Sequence, residues 1–376
     1  MRWCKKCLEP DTRPDCRFND EGICLPCRNF ENFDKIDWDA RHRELDELVD
    51  WVKSRKQRRQ SGYDAIIPVS GGKDSHCQAL YARDKMGLRV LLVSLSYPPE
   101  QLTQRGANNL ENLISLGFDC FVISPAPEIW RQLMKIGFTK FGNWCKSTEI
   151  ALYACAPKVA VQYHIPLMIY GENPALSWGS SGGSLNGDAN RMKYSNTLDG
   201  GDISAFLEAG YRPKDMYWHR YPSDKVIERS NLRMIYLGYY IKDFDDINNG
   251  RIALEHGLEP RTGEDAILED IGQVTTYDAL DDDFVIVNQM VKRFKFGFGK
   301  ASEQLSGMIR AGEITREEAL DVARRLDGKC APRYIKSFCA YIGISEEEFW
   351  EIAESFRSLD VWKKQGNEWQ LKVPME

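Results

Sequence analysis

The sequence predicts an α/β protein built on a doubly wound parallel sheet, with a cysteine-rich ribbon before it and a helical region after it. Three observations carry this. Short apolar runs alternate with amphipathic stretches between residues 63 and 174. The first run enters a glycine turn that opens a helix, and five of the eleven cysteines crowd into the first 27 residues. Strands and helices in alternation bury a parallel sheet on both faces and put ligand sites at the strands' carboxyl ends.

Cys4-Lys5-Lys6-Cys7 and Cys24-Leu25-Pro26-Cys27 are two C-x2-C knuckles separated by 16 residues. That spacing brings four thiolates to one tetrahedral ion, so Cys4, Cys7, Cys24 and Cys27 are read as ligands of a structural zinc. Four thiolates close the shell and leave no position for chemistry, and Cys16 is a spare. So short a segment has little core, and the metal is expected to supply most of its folding energy. The remaining cysteines are not read as disulfides, because Met1-Arg2-Trp3-Cys4 shows no apolar secretion signal.

An amphipathic helix with Leu45, Leu48, Val49 and Val52 on one face precedes the first strand, Tyr63 to Val69. Ser70-Gly71-Gly72-Lys73-Asp74-Ser75 follows, and His76 to Ala82 continues as a helix. A strand, a glycine turn and a helix N-terminus converge free amides and the positive end of the dipole on an anion. Gly71 and Gly72 allow close backbone approach. Ser70 and Ser75 offer hydroxyls, Lys73 a point charge, and Asp74 a carboxylate for Mg²⁺ or for orienting the loop. This is not a Walker A loop: the glycines are adjacent and an acid follows the lysine.

Val90 to Ser94 is the second strand, Leu102 to Leu116 a helix, Cys120 to Ile123 the third strand, and Ile150 to Tyr163 a helix. Leu167 to Tyr170 is the fourth strand and ends on Gly171-Glu172-Asn173-Pro174. Gly171, Glu172 and Asn173 are therefore expected on the same edge as the glycine turn, Glu172 as an Mg²⁺ ligand or a base. Residues 177–187, rich in glycine and serine, read as a lid or a connector. Tyr217-Trp218-His219-Arg220 suits a sugar nucleotide, Trp218 by stacking and Arg220 by pairing with phosphate. Asn173 and Lys295 are further substrate candidates, and Lys300 joins Lys295 in flanking a glycine turn. The five histidines show no H-x-x-H spacing, so no catalytic zinc is expected. Thr315 and Ser345 open helices in a mostly helical stretch from Glu317 to Trp369, which Trp350, Phe356 and Trp362 are expected to pack against the main domain.

Net charge is −6, and the one dense basic patch, Lys53 to Arg59, reads as a solvated helix end. A nucleic-acid partner is not expected, since such binding draws on a basic stripe. No apolar run is long enough to span a bilayer, so a cytoplasmic location is expected.

The run Ser70 to Ser75 resembles the PP-loop signature of ATP pyrophosphatases. The resemblance implies ATP as cosubstrate with Mg²⁺, AMP and pyrophosphate as products, nucleotide contacts from Ser70 to Ser75 and Gly171, and adenine contacts at Val93 and Ser94. It divides the chain into a zinc ribbon (1–36), an ATP pyrophosphatase domain (37–300) and a helical region (301–376). From the knuckles to about Phe349, the chain further resembles the N-acetyl sugar amidotransferases of bacterial surface-polysaccharide and O-antigen biosynthesis. The matching elements are the cysteine pairs, the glycine loop, Gly142-Asn143-Trp144-Cys145, Tyr170-Gly171-Glu172-Asn173-Pro174, and a distal block, Lys295-Phe296-Gly297-Phe298-Gly299-Lys300 with Ile309 to Ala319. Position 148 is Thr148, so no Cys-x-x-Cys pair starts at Cys145, which is read as a half-buried thiol.

That second resemblance implies adenylation of an acetamido oxygen and replacement by ammonia to give an acetamidino sugar, with Lys73, Asp74 and Glu172 in catalytic roles. No cysteine follows Met1 and no Gly-x-Cys-x-Gly elbow occurs. Ammonia is therefore expected from a separate glutaminase subunit with a cyclase-like barrel. A tRNA-thiolating enzyme is the alternative. It requires cysteines at the nucleotide site, and Cys145 and Cys155 are the candidates.

Overall fold

The computed structural model describes residues 1–180, 184–195 and 197–376, apart from the side chains of residues 57 and 58. Five parallel strands form one sheet: β1 (Ala65–Pro68), β2 (Val90–Leu95), β3 (Asp119–Ile123), β4 (Leu167–Tyr170) and β5 (Arg233–Tyr236), in the order β3-β2-β1-β4-β5. The chain winds outward from β1 through β2 to β3, then returns to β4 on the other side of β1. The strand order thus reverses between β1 and β4, and a crevice opens there at the carboxyl ends.

Alternation along the strands accounts for the layers. Ile66, Leu91, Val93 and Met168 face one core with Trp130, Phe138, Cys155 and Val159 from the helices Pro127–Phe141 and Cys145–Gln162. Ala65, Ile67, Val90, Leu92, Leu167 and Ile169 face the other, with Leu45, Leu48, Val49, Val52, Leu80 and Leu113. The four expected strands are present. β5 was not anticipated, and the helix expected from Ile150 starts already at Cys145.

The carboxy-terminal helices Phe284–Phe296, Pro332–Ile342 and Glu346–Ser355 share the first core through Phe284, Phe338 and Phe349. Helical character does not extend to Trp369. Residues Trp362–Gln365 (β6) and Glu368–Leu371 (β7) form an antiparallel hairpin instead. Trp362 is buried as expected, Phe356 is half-buried, and Trp350 is 40% exposed, with its ring edge-on to Phe349. Thr315 closes a full capping box with Glu318, whereas Ser345 only accepts the Glu348 amide.

In the ribbon, all four knuckle cysteines are buried with their sulfurs within reach of one another. Cys7 and Cys24 sulfurs are 3.6 Å apart, and Cys4 and Cys27 sulfurs 4.0 Å. A tetrahedron with metal–sulfur bonds of about 2.3 Å has edges of about 3.8 Å. The cluster can hold a metal such as zinc. No helix among the described residues is long and apolar enough to cross a membrane.

Candidate active site

The glycine turn sits where β1 gives way to the helix Lys73–Asp84. Val69 donates its amide to Val93, and the Ser70 amide donates to the Ser75 hydroxyl at 3.1 Å, so the turn is closed from within. Gly71 has φ +88°, and a Cβ there would lie 2.9 Å from the backbone nitrogen of Leu110. Both facts require glycine. Gly72 occupies the N-cap without a side-chain bond to the helix amides, which leaves those donors for an anion. His76 is held by the Gly72 carbonyl and by Asn112, so its ring supports the turn.

Lys73 is buried among acids. Its ammonium lies 2.5 Å from Asp278, 3.3 Å from Asp74 and 3.3 Å from Asp246. Burial alone would lower its pKa, but these carboxylates outweigh burial and hold it well above the ordinary value. Asp278 goes the other way: Lys73 and Lys300 overcome its burial and keep it well below the carboxylate range. Gln304 and Thr275 also donate to Asp278.

Asp74, Glu172 and Asp246 form a second grouping, with carboxylate oxygens all within 4.8 Å of one another. Asn249 donates to Asp74 at 2.7 Å. Burial, then the charges of Asp74 and Asp246, push Glu172 well above its ordinary pKa, and Asp74 is raised mainly by burial. Three carboxylates facing one point, two of them (Asp74 and Glu172) raised by burial and by the charge of the others, form a set that a divalent cation relieves. The donor set, all oxygen, suits Mg²⁺ and not a thiophilic metal.

Gly171 lies against the Gln78 amide and the Phe244 ring, where a Cβ would collide with both. Ser94 and Ser70 share a small cleft with Tyr97, Gly106, Leu110 and Asp281. Val93 turns its side chain into the sheet core.

Four of the substrate candidates stand apart from the cluster. Asn173 caps a short helix by accepting the Ala175 amide, and donates to the carbonyls of Ser184 and Asn186. Lys295 donates to the carbonyl of Phe141 at 2.6 Å. Trp218 packs against the core beside the helix Cys145–Gln162, and Arg220 is exposed. Of residues 177–187, Ser181, Gly182 and Gly183 lie outside the described residues. The Gly142-Asn143-Trp144-Cys145 turn is structural: Gly142 ends a helix at positive φ, and Trp144 is buried and donates to the Phe284 carbonyl. Cys145 is buried, with 7% of its surface exposed, rather than half-buried as expected.

Sequence reasoning missed Asp246, Asn249, Asp278 and Gln304. Asp245-Asp246 reads as a helix start, and Asp245 does cap the helix Asp246–Glu255. That signal could have located an acid at a helix N-terminus, but not its pairing with Lys73. Lys300 opens the helix Lys300–Ala311, and its ammonium is held charged by Asp278, Glu303 and Asp246 despite burial.

Two of these groups, Asp278 and Lys300, come from the last third of the chain. No curated protein matches the chain. Residues 271–374 match the family model of the C-terminal domain of WbpG-like LPS biosynthesis proteins, so the region that completes the acid–lysine cluster is similar to a domain of lipopolysaccharide biosynthesis.

Proposed function

We propose that this chain is an ATP-dependent enzyme of lipopolysaccharide or related glycan biosynthesis, of the PP-loop type, that converts an acetamido group of a sugar into an acetamidino group. The observation that carries this reading is the Lys73 ammonium at the strand tip, set against the acids Asp74, Glu172 and Asp246. The similarity of residues 271–374 to an LPS biosynthesis domain supports the pathway.

An amide carbonyl is resonance-stabilised, and ammonia does not displace its oxygen directly. Transfer of AMP to that oxygen turns it into a leaving group. The amides of the turn, with Ser70, Ser75 and Lys73, hold the departing pyrophosphate, and Lys300 adds a second cation. Asp74, Glu172 and Asp246 would hold Mg²⁺, which supplies charge neutralisation to the phosphates. The Ser94 cleft takes the adenine. Ammonia arrives from a separate glutaminase subunit. Cys4, Cys7, Cys24 and Cys27 hold zinc in a structural role.

The thiolation alternative needs reactive cysteines at the nucleotide site. Cys77, next to the turn, is pushed up to about 12 by burial, as is Cys155, and burial raises Cys145 well above the ordinary thiol value as well. Such thiols are poor nucleophiles. The reading is tested by mass spectrometry of N-acetylated sugars and their nucleotide conjugates incubated with the chain, ATP, Mg²⁺ and ammonium. The expected product is lighter by about one mass unit, with oxygen replaced by NH under mild amide chemistry. Turnover of ATP with every such sugar unchanged contradicts it.

A further inference from the structure

A line of ionisable side chains runs inward from Glu172. Tyr170, two residues earlier, packs on Tyr153 with ring centroids 6.0 Å apart. The Tyr153 hydroxyl feels the charges of both Glu149 and Glu172. Glu149 lies one turn before Tyr153 on the same face of the helix Cys145–Gln162 and accepts the hydroxyl of Thr197. Glu149, Tyr153 and Glu172 are each half-buried, so none of the three is sealed from solvent.

Other charged and titratable groups surround Glu149. Cys145 and Lys146 share its helix, Lys292 projects from Phe284–Phe296, and Tyr97 lies in the loop after β2. Neither lysine pairs with it. Lys146 donates to the Thr197 carbonyl and reaches Asp199, and Lys292 pairs with Glu303 at 2.9 Å. Among the described residues Glu149 has no ion pair within 4.0 Å, although its neighbourhood supplies two cations. Burial raises its carboxyl to about 7, with Lys146 and Lys292 opposing. A carboxylate in that range is suited to accept a proton at neutral pH.

We propose that Glu149 is the proton acceptor for the attacking nitrogen in the amidation step, an assignment that rests on the function proposed above. The Glu149 carboxylate takes one proton from ammonium. The electron pair freed on nitrogen forms the C–N bond to the carbon that bears the adenylated oxygen, one proton of the added nitrogen passes to the imidate nitrogen on the sugar, and the C–O bond breaks with its own electron pair leaving on AMP. The proton then returns from Glu149 to solvent.

The test separates the two half-reactions in wild type, Glu149→Gln and Glu149→Asp. Sugar-dependent exchange of labelled pyrophosphate into ATP reports adenylation, and amidine formation from ammonium reports amination. Glu149→Gln is expected to slow amination by about 10²-fold while exchange persists, as for loss of a general base. The deficit shrinks as pH rises and free ammonia replaces ammonium, and Glu149→Asp recovers part of the rate. Equal losses in both half-reactions, or a deficit independent of pH, overturn the assignment alone. Absence of sugar-dependent exchange in the wild type overturns the proposed function as well, and the two failures are thereby distinguished.

Discussion

Lys73→Ala is expected to slow ATP cleavage by about 10²–10³-fold, the loss seen when one preorganised donor is removed from a developing anion. The side chain has few alternatives, because its ammonium is the nearest cation to Asp74, Asp246 and Asp278. Its removal also leaves enclosed acids uncompensated, which costs on the order of 3–5 kcal/mol when a buried pair is broken. The two effects separate by pH. Asp278 has a depressed pKa in the folded state, so its ion pair contributes stability above the unfolded value of about 3.9 and loses it as pH falls through the folded value. The stability gap between wild type and Lys73→Ala, read by urea unfolding, should be widest near neutrality and should narrow in acid. The rate deficit should remain at the pH where the gap is smallest. A variant that regains full turnover wherever its stability recovers would show Lys73 to be a structural counterion.

Loss of the metal that the four-cysteine ribbon is proposed to hold is expected to have the second large effect, and to reach beyond the ribbon. A structural zinc supplies on the order of 10 kcal/mol to a segment that has no core of its own. The ribbon is fastened to the helices that carry Lys300 and Glu303. The Leu8 amide donates to Ser306 at 3.1 Å, and Leu8 packs with Leu305, Ala319, Leu320 and Ala323. Arg13 is clasped between Glu9 and Glu303 while stacking on Phe298, 4.7 Å from its ring centre. Arg316 donates to the carbonyls of Cys4 and Cys7. Cys24→Ser, or chelation, should therefore loosen the helix Lys300–Ala311 and withdraw Lys300 from the acid cluster. Hydrogen exchange is the check: protection should fall in residues 1–36 and in 298–311 together, with a parallel loss of turnover. Loss confined to residues 1–36 with full activity would make the ribbon an independent module.

Much of the sheet was legible because its strands are short apolar runs bounded by turn residues, and because the loop residues are contiguous. The ribbon was legible for the same reason, since two knuckles carry their spacing in the sequence. β5 was not: Arg233-Met234-Ile235-Tyr236 is short, starts with an arginine, and is identified only by its pairing with β4. The hairpin β6–β7 looks helical by proximity to two strongly amphipathic helices. Asp246 and Asp278 were invisible for a deeper reason. Each meets Lys73 across more than 170 residues, and a lone acid in a loop or at a helix start carries no mark of its partner. Lys295 and Lys300 show the converse. Both flank the same glycine turn, yet a helix end turns one toward the Phe141 carbonyl and a helix start turns the other toward the acids.

The central claim is that the acetamido oxygen attacks the α-phosphorus of ATP while the glycine loop holds the departing pyrophosphate. It is tested most directly by labelling that oxygen with a heavy isotope and following the label through one turnover with ammonium. The account predicts AMP and pyrophosphate as products, with the label in the phosphate of AMP and none left on the sugar. Formation of ADP, label in inorganic phosphate, or label retained on the aminated sugar would contradict it.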